Sequence, residues 1–373
     1  MSDAEPAGPR VLLVTGRWGH MGAHSGLTPL AAALGRRLPV TVLQPGRWDR
    51  IAVVGKLLAA RVLSRLGLRR ETSHPSPFYG RDGAILERAA TRVARSGRFD
   101  CILFTSVEEH FARFAAPAIK GAPTLIGITH QPPGWWKLMI GDIRYLAGFD
   151  ALVALSTPAR AHLQQLLPDT DVRMIRHGVD GGFFAPAAGR SAPEPGEAEI
   201  LVSGQWLRDF ALLEKVARMM AKTQPGVRFR LVLPRFARTM DAHFGLAQLP
   251  NVSLLADLSD EDLRAIYHRS HLLFMPLIDA TANNAVLEAM ATGLPVVVNA
   301  VGGIADYVDS TSAVLFDATD ERTAVAALLW SLEHYSECQA RAAVARRQVE
   351  TELDWRHIAL QIEQAIRSVA ARP

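Results

Sequence analysis

Short apolar runs rich in Val, Ile, Leu and Phe alternate with helical patterns along the first half of the chain. Continuous apolar runs bounded by turn residues are typical of strands in a parallel sheet, where helices cover both faces. Candidate strands occupy residues 10–16, 39–45, 101–106, 123–129 and 151–156. The pattern therefore predicts an α/β fold with a doubly wound parallel sheet.

Residues 187–198 interrupt this alternation with a stretch rich in Ala, Pro, Gly and Glu, which sustains no period and indicates a linker. The alternation then restarts, with candidate strands at residues 199–204, 229–234, 252–257, 271–276, 295–300 and 313–317. A chain of 373 residues is long enough for two cores. We therefore predict two Rossmann-like domains, residues 1–186 and 199–353, with a cleft between them and ligands beyond the carboxyl ends of the strands.

Basic residues cluster at residues 56–70, KLLAARVLSRLGLRR. On a helix, the leucines and valines of this segment would form an apolar stripe, with the basic residues largely off it. Two interpretations stay open: a surface helix packed on its own sheet, or a surface that contacts an anionic membrane. Nucleic-acid binding is not predicted, because the net charge of the chain is only +4.

Other features of the composition bear on compartment and cofactors. The N-terminal residues MSDAEPAGPR lack an apolar core, and no run of 18 apolar residues occurs, so neither a secretory signal nor a membrane span is predicted. Cys101 and Cys338 lie far apart with no CxxC pair, which predicts neither a disulfide framework nor a metal site. A cytoplasmic location is expected, with peripheral contact at the inner face of the membrane left open.

Residues 277–297, LIDATANNAVLEAMATGLPVV, carry the strongest signal for chemistry. Pro276 ends a strand, the polar residues supply turn and N-cap groups, and a short helix ends at Gly293. This arrangement aims backbone N–H groups and a positive helix end at the cleft, which suits a phosphate or diphosphate. Glu288 lies about one turn after Asn284 and could accept hydrogen bonds from ribose hydroxyls. The structural alternative is that the asparagines only cap the helix and Glu288 only pairs with a surface cation.

The run PLIDATANNAVLEAMATGLPVVVNAVGGIADYV, residues 276–308, resembles the donor-nucleotide motif of retaining GT-B glycosyltransferases of family four, the group 1 glycosyltransferases. MIRHGVDGGFFAP at 174–186 is similar to the hinge of that family, and LDWRHIALQIEQAIRSVA at 353–370 is similar to its C-terminal helix. The resemblance implies a GT-B fold in which residues 354–373 return to the first domain. It also implies transfer of a sugar from a nucleotide-diphosphate sugar to an acceptor hydroxyl, with retention of configuration. No metal or other cofactor is expected, because protein cations and a helix N-terminus would stabilise the diphosphate.

The motif assigns roles in donor binding residue by residue. Its second glutamate corresponds to Glu288, whose implied role is to bind the ribose. Further implied contacts with the nucleotide involve Asn284, Ala285, Val286, Gly302 and Gly303. The first glutamate of the family, which normally touches the donor sugar, falls on Ala280. The polar candidates to replace that glutamate in the catalytic site are Asp279, Asn283 and Asn284.

A second departure lies in SGQWLRDF, where the family usually has glycine followed by arginine and, later, a lysine that together hold the diphosphate. Here Gly204 is followed by Gln205, and Asp209 stands near the lysine position. Arg208 is the nearest cation and our candidate to stabilise the leaving diphosphate, although an ordinary surface arginine is the alternative. Arg235 is a possible replacement for the second cation.

The first domain contributes candidates for the acceptor side of the cleft. GHMGAHSGLTPLAAAL resembles the glycine-rich turn and helix that face the donor diphosphate and the acceptor, which nominates Gly22, His24, Ser25 and Gly26. His20 and His24 lie on a loop rather than a helix, so a metal pair is not predicted. His130 follows a strand where the family often has a histidine near the donor sugar; the alternative is a capping or packed histidine.

Two further groups of residues lie on the same predicted rim. Trp135 and Trp136 could stack on an acceptor sugar or an apolar aglycone, or could belong to the core. Glu108 follows the strand CILFTS and could meet an acceptor hydroxyl, or could lie on a solvated loop.

The leading functional hypothesis is therefore a retaining glycosyltransferase that acts on a saccharide, a lipid-linked acceptor or a small molecule. A nucleotide-sugar epimerase or a phosphorylase would keep the fold and change the reaction. A non-catalytic nucleotide-binding partner is the third reading, suggested by Ala280, Gln205 and Asp209. The nucleotide base, the sugar and the linkage are not specified by the sequence.

Overall fold

The computed structural model describes residues 7–16, 22–66, 76–112, 122–234, 236–237, 243–318 and 320–371. The chain divides into two compact units. Unit 1 contains Met1–Trp18, Leu30–Arg176 and Ile358–Pro373, and unit 2 contains Gly19–Pro29 and His177–His357.

Unit 1 is built on a six-stranded parallel sheet with the strand order β2-β1-β3-β4-β5-β6. Its strands are β1 (Val11–Val14), β2 (Val40–Val42), β3 (Cys101–Phe104), β4 (Thr124–Thr129), β5 (Ala151–Ala154) and β6 (Asp171–Met174). The central strands are fully buried, as expected for apolar runs covered on both faces. Phe104, Phe111 and Phe149 pack together at the centre of the core.

The helices of unit 1 differ in how much of their surface they bury. They are α1 (Leu30–Gly35), α2 (Arg47–Arg65), α3 (Arg81–Ala94), α4 (Val107–His110), α5 (Pro133–Met139) and α6 (Thr157–Leu166), with a 3₁₀ turn at Arg144–Gly148. Helix α3 buries one face that includes Ile85, Leu86 and Ala90. Helix α2 buries only Asp49 and Val53.

Unit 2 is built on a second six-stranded parallel sheet with the order β12-β11-β10-β7-β8-β9. Its strands are β7 (Glu197–Ser203), β8 (Gly226–Val232), β9 (Val252–Leu255), β10 (Leu272–Met275), β11 (Val296–Asn299) and β12 (Val314–Phe316). Two apolar clusters cover the faces of this sheet, one centred on Met275 and Met290 and the other on Phe229 and Phe274.

The helices of unit 2 begin at side-chain caps where the sequence provides them. They are α7 (Phe210–Thr223), α8 (Phe244–Ala247), α9 (Asp260–Arg269), α10 (Asn284–Thr292), α11 (Glu321–Glu333), α12 (Tyr335–Gln348) and α13 (Trp355–Ala370), with a 3₁₀ turn at Ile304–Asp306 and a π-helical turn at Val349–Leu353. Asp209, Ser259, Asn283 and Asp320 each accept a backbone N–H at the start of a helix. Helix α13 begins in unit 2, and its residues from Ile358 onward belong to unit 1.

An arginine in the segment before β7 connects two of these helices. The Arg190 guanidinium donates to the carbonyl oxygens of Tyr267, His268 and Ser270 at the end of α9, and to Thr292 O at the end of α10 at 3.3 Å. Helix C-termini leave unpaired carbonyls, and a cation there also suits the helix dipole. One side chain therefore caps both helices.

The predicted α/β class and the doubly wound sheets are confirmed. Every predicted strand is present. Strand β6 was not predicted, and its last residue, Met174, was included in the predicted hinge segment. The observed division of the chain falls at Arg176, earlier than the predicted linker at 187–198. The reason is that Val179 and Phe184 pack in the core of unit 2 with Tyr267, and β7 already begins at Glu197.

Candidate functional site

The strand order of unit 2 reverses between β7 and β10, since β8 and β9 lie on one side of β7 and β10 to β12 on the other. In doubly wound sheets such a switch point opens a crevice beyond the carboxyl ends of the strands, where ligands bind. The loops that follow β7 and β10 are joined to each other here. Asp209 N–H donates to Pro276 O at 2.9 Å, and Ile278 N–H donates to Leu207 O at 3.0 Å.

Helix α10 starts at this crevice. The Asn283 side chain accepts the Val286 N–H at 3.2 Å, which confirms that this asparagine caps the helix, and Gly293 ends the helix with a left-handed φ of 65°. The first N–H groups of a helix have no partners within it. Because the cap uses the Val286 N–H, the backbone groups of Asn284 and Ala285 are the ones that the geometry leaves to face a ligand.

Glu288 lies one turn into α10, with only 5% of its surface exposed. Its Oε1 accepts the Ser25 hydroxyl at 2.9 Å, and its Oε2 accepts the Tyr267 hydroxyl at 2.8 Å. Burial raises the pKa of Glu288 to about 7, against the two hydrogen bonds, which lower it. Both partners are hydroxyl groups, so this carboxylate already makes the kind of contact that ribose hydroxyls would make.

Arg208 reaches the same crevice from the loop after β7. Its guanidinium donates to Ser203 O at 3.0 Å, to Trp206 O at 2.7 Å and to Asn283 Oδ1 at 3.3 Å. Burial lowers the pKa of Arg208 to about 10, so the group is still a cation at neutral pH. The alternative of an ordinary surface arginine is wrong, because this side chain is held at the start of α10.

Glycine at 204 makes room for that guanidinium. Gly204 has a φ of 85°, and a Cβ added there would lie 2.8 Å from Arg208 Nη2. Asp209, at the position near the family lysine, caps α7 by accepting the Leu212 N–H at 2.8 Å. Arg235, the possible second cation, lies outside the described residues.

The loop that carries Ala280 is shaped by its own backbone. Ala280 is buried in the core, and Asp279 Oδ1 accepts the Ala280 N–H at 2.8 Å. The Gly303 N–H donates to Ala280 O at 2.7 Å, and Gly302 has a left-handed φ of 56°. Asp279 therefore lies against Gly302, and burial raises the pKa of its carboxyl group. Part of the hydrogen-bonding capacity of Asp279 goes to its own loop, and its place as a substitute for the family glutamate stays a prediction.

The segment 22–29, which was predicted to belong to the first domain, is assigned to unit 2. Ser25 binds Glu288, and the backbone N–H of His24 donates to Asp260 at 3.2 Å. The His24 ring stacks on Phe183, with ring centroids 3.7 Å apart, and its Nδ1 lies 2.7 Å from Asp180 Oδ2. These contacts explain the assignment. Gly22 and Gly26 flank this pair of residues, whereas His20 lies outside the described residues.

His130 and Glu108 form a separate group in unit 1. Glu108 is fully buried, and its Oε1 accepts the N–H of His130 at 2.6 Å and of Gln131 at 3.0 Å. His130 Nε2 lies 2.7 Å from Thr105 O. Burial raises the pKa of Glu108 to about 7 and lowers that of His130. The expectation that Glu108 meets an acceptor hydroxyl is wrong, as is the solvated alternative, because this carboxylate fixes the loop that carries His130.

The two tryptophans have different environments. Trp136 is 2% exposed in the core of unit 1, and its indole N–H donates to Gln131 O at 2.9 Å. It is therefore a core residue, the alternative that the sequence left open, and not a stacking platform. Trp135 is half-buried, and its ring lies 6.3 Å from that of Phe78.

Two residues of the unit 2 site were not predicted from the sequence. Tyr267 lies on α9 and holds Glu288, and Asn299 ends β11 and pairs with both the N–H and the carbonyl of Leu277, at 2.7 and 2.8 Å. For Asn299 a signal existed: it is a polar residue that closes the apolar run VVVN at a carboxyl end. For Tyr267 no local pattern distinguishes a ligand-holding hydroxyl from a core tyrosine.

None of the helices described is both long and apolar enough to cross a membrane. Within the part of the chain that the structure describes, no group of three His, Cys, Asp or Glu side chains is arranged to hold a metal ion.

Solved structures share this fold along almost the whole chain. Sucrose-phosphate synthase from Thermosynechococcus elongatus matches with a TM-score of 0.72 and 17% identity, over 97% of this chain and 99% of that one. HepE from Anabaena, solved in complex with UDP-glucose, matches with a TM-score of 0.64 and 15% identity, over 97% of this chain and 100% of that one. At these identities the likeness concerns the fold alone, which is GT-B.

Sequence comparison shows which known proteins this chain resembles. Residues 209–334 match the family model described as glycosyl transferases group 1. A D-inositol 3-phosphate glycosyltransferase from Nocardioides is 29% identical over 252 residues, which cover 60% of this chain and 54% of that protein. The chain thus spans little more than half the length of this relative. The chain is related to the group 1 glycosyltransferases, and the resemblance predicted from residues 276–308 is confirmed.

Proposed function

We propose that the chain is a glycosyltransferase that moves a sugar from a nucleotide-diphosphate sugar to an acceptor hydroxyl, with retention of configuration. The observation that carries the proposal is the arrangement at the β7/β10 switch point. Two sets of hydrogen bonds hold the groups there: Ser25 and Tyr267 donate to Glu288, and the Arg208 guanidinium and the Val286 N–H both donate to Asn283 Oδ1 at the start of α10. A hydroxyl acceptor, a cation and unpaired backbone N–H groups are the three groups that a nucleoside diphosphate requires.

Each group has a distinct task in donor binding. The Glu288 carboxylate would accept ribose hydroxyls in exchange for the Ser25 hydroxyl that it now accepts. The diphosphate would lie at the N-terminus of α10, where Asn284 and Ala285 present N–H groups and the helix dipole is positive. Arg208 would neutralise charge on the leaving diphosphate as the glycosidic bond breaks.

In the retaining reaction that the resemblance implies, the leaving phosphate accepts the acceptor proton, so no strong protein base is required. Protein cations and the helix end would supply the electrostatic stabilisation, and we propose that no divalent metal takes part. His130, fixed by Glu108, would lie near the donor sugar as the family pattern implies. Asp279, Asn283 and Asn284 remain the candidates for polar contacts with that sugar.

The acceptor is a saccharide, a lipid-linked compound or a small molecule. Gly22, His24, Ser25, Gly26 and Trp135 are the proposed acceptor-side residues. Peripheral membrane contact through residues 56–70 is a separate prediction for that segment, of which residues 67–70 lie outside the described structure.

The experiment is an assay of donor hydrolysis and transfer with a panel of sugar nucleotides, for the wild type and Glu288→Ala. We expect kcat/KM for the preferred donor to fall at least about tenfold, since a buried charged hydrogen-bond partner is lost. Glu261→Ala, an exposed glutamate on α9, serves as the matched control and should keep wild-type activity. Equal turnover by wild type and Glu288→Ala would refute the assignment.

A non-catalytic nucleotide-binding partner is the second candidate, favoured by Asp209, which caps α7 where the family has a cation. The same panel separates the two candidates. Tight binding of a nucleotide without hydrolysis of any sugar nucleotide would support the partner, whereas slow hydrolysis would exclude it.

A further inference from the structure

Helix α2 exposes an apolar surface that the described residues of unit 1 leave uncovered. Trp48, Ile51, Leu58, Val62 and Leu66 are each more than half exposed. The buried Asp49 joins this helix to α3, since it accepts from the Arg92 guanidinium at 2.8 Å. For residues 56–66, the described part of the basic segment, the interpretation that it packs on its own sheet is therefore wrong. Exposed apolar surface of this kind usually marks a binding site.

One face of α2 borders a cavity of about 990 Å³ in unit 1. That volume is at the upper end for sites that bind small molecules, about 300–1,000 Å³. The cavity-lining residues of α2 are Arg50, Val54, Leu57, Leu58 and Arg61. Their spacing places them on one face of the helix, with three apolar side chains between two arginines.

Another part of the cavity wall lies at the switch point of the unit 1 sheet. The strand order reverses between β1 and β3, and the cavity is lined by Thr15 and Gly16, which follow β1, and by His110, on the helix that follows β3. This is the position in a doubly wound sheet where a ligand is expected. Unit 1 thus has an apolar and basic helix face beside a predicted ligand position.

The charges on the cavity wall favour an anion. The cavity lining contains three arginines against two carboxylates, Asp82 and Glu109, and Arg81 is paired with Asp82 at 3.7 Å. Burial lowers the pKa of His110 to about 4, so this imidazole, 3.8 Å from the Glu109 carboxylate, is neutral at pH 7 and does not offset its charge. Within the described residues, Arg50 and Arg61 have no carboxylate within ion-pair distance. Two arginines are therefore available to pair with an anionic group. A guanidinium binds carboxylate and phosphate groups strongly.

We propose that this cavity binds the acceptor, and that the acceptor is an anionic amphiphile. Its apolar part lies against Val54, Leu57 and Leu58, and its phosphate or carboxylate group pairs with the arginines at the ends of this strip. The inference rests on the proposed function, because it names the class of acceptor for the same reaction. A membrane surface would instead engage the whole exposed side of α2, including Trp48, Val62 and Leu66.

The test measures binding to the full chain by titration calorimetry without any donor. The probes are decyl phosphate below its micelle concentration, neutral decyl maltoside and short-chain ethyl phosphate. We expect decyl phosphate to bind at least about tenfold more tightly than either of the others, because only it offers both an apolar chain and an anion. Equal affinities for the three probes would overturn the proposal.

Paired double variants on the same helix separate the cavity from the rest of the surface. R50Q/R61Q and L57S/L58S should each weaken decyl phosphate binding about tenfold. R47Q/R65Q and V62S/L66S remove the same charge and apolar groups outside the cavity and should change it less than about twofold. Equal losses in the control pairs would show adsorption to the helix surface and would overturn the cavity site. Circular dichroism confirms that all four variants are folded.

Donor hydrolysis, measured on the same samples, keeps the two proposals distinguishable. Hydrolysis of a sugar nucleotide together with unselective probe binding would refute the amphiphile inference and leave the proposed function in place. Absence of hydrolysis with every sugar nucleotide would refute the proposed function and, with it, the role of the cavity ligand as an acceptor.

Discussion

Both units contain a parallel sheet whose strand order reverses once, and the two switch points differ in chemistry. At β7/β10 in unit 2, four buried or half-buried residues form two hydrogen-bonded pairs, Tyr267 with Glu288 and Arg208 with Asn283. At β1/β3 in unit 1, a cavity of about 990 Å³ is bordered by exposed apolar and basic side chains of α2. The same topology therefore carries a preorganised polar site in one unit and an uncovered amphipathic wall in the other.

The comparison also concerns two buried glutamates. Glu108 in unit 1 accepts the backbone N–H groups of His130 and Gln131, which belong to the loop itself. Glu288 in unit 2 accepts side-chain hydroxyls, which ligand hydroxyls can replace. Burial raises the pKa of both to about 7. The nature of the partner, rather than the burial, distinguishes a structural carboxylate from a ligand-binding one.

The largest expected effect concerns the cation of unit 2. Arg208→Ala should lower kcat for donor hydrolysis between about 100-fold and 1,000-fold, as expected when a preorganised group that stabilises a leaving charge is removed. Arg208→Lys should recover part of this loss, because charge is kept and the bonds to Ser203 O and Trp206 O are not. Arg218→Ala, which removes an exposed arginine of α7, is the control for steady-state kinetics. An unchanged kcat in Arg208→Ala would show that Arg208 does not stabilise the leaving diphosphate.

The two glutamates predict a shared dependence of stability on pH. Each has a pKa of about 7 in the folded chain, so the folded state keeps a proton between pH 4.5 and 7 that the unfolded state releases. The contribution of each group to the free energy of unfolding should therefore fall as pH rises through this window, by about 3 kcal/mol. Glu108→Gln and Glu288→Gln should each remove one such contribution, measured by denaturant unfolding from pH 4 to 8.

Only one of these two variants should change KM for the sugar nucleotide. Glu288→Gln should raise KM for the sugar nucleotide, whereas Glu108→Gln should leave it near the wild-type value, because Gln still accepts the two backbone N–H groups. A comparable rise in KM in both variants would contradict the distinction between the two carboxylates.

Substitution of two glycines by alanine should change the free energy of unfolding in opposite directions. Gly302→Ala places a side chain at φ 56°, where it collides with Asp279 and the Ala280 carbonyl, and should lower the free energy of unfolding by about 2 kcal/mol or more. Gly55→Ala lies inside α2 with open space around it and should raise the free energy of unfolding by about 0.5–1 kcal/mol. Thermal unfolding measures both. A stabilised Gly302→Ala would show that the loop after β11 is not confined.

The smallest effect is expected for the hydroxyl that holds Glu288. Tyr267→Phe should weaken binding of the preferred sugar nucleotide by about 1 kcal/mol, because Glu288 Oε2 loses its donor. Tyr335→Phe removes another buried hydroxyl of unit 2, one that donates to His271 O, and should leave donor affinity unchanged. Equal donor affinities of Tyr267→Phe and the wild type, measured by calorimetry, would place Tyr267 outside the binding network.

The sequence could predict what depends on local patterning. Apolar runs located the strands of both sheets, and Asn283, Gly293 and Pro295 defined the helix that carries Glu288 because caps and breakers act over a few residues. The role of Arg208 could be inferred from its place in a motif, even though its position there departs from the family pattern.

Contacts between residues distant in sequence could not be predicted in this way. Tyr267 meets Glu288 across 21 positions, and Asn299 meets Leu277 across 22, so no helix or strand period connects them. Helix α2 shows that burial of a predicted apolar face cannot be predicted from local pattern either. Its amphipathic pattern was evident, but a pattern reveals only that an apolar face exists and not whether the protein itself covers that face.

The guanidinium of Arg190 has a consequence for engineering the chain. It binds the ends of α9 and α10, the helices that carry Tyr267 and Glu288. A chimera that joins unit 1 of a relative to unit 2 of this chain should therefore be spliced close to Arg176, where the units divide, and not within the proline-rich stretch that follows. A splice after Arg190 would replace the side chain that fixes these helices together, and Tyr267 and Glu288 would lose this connection although both residues are kept in the hybrid.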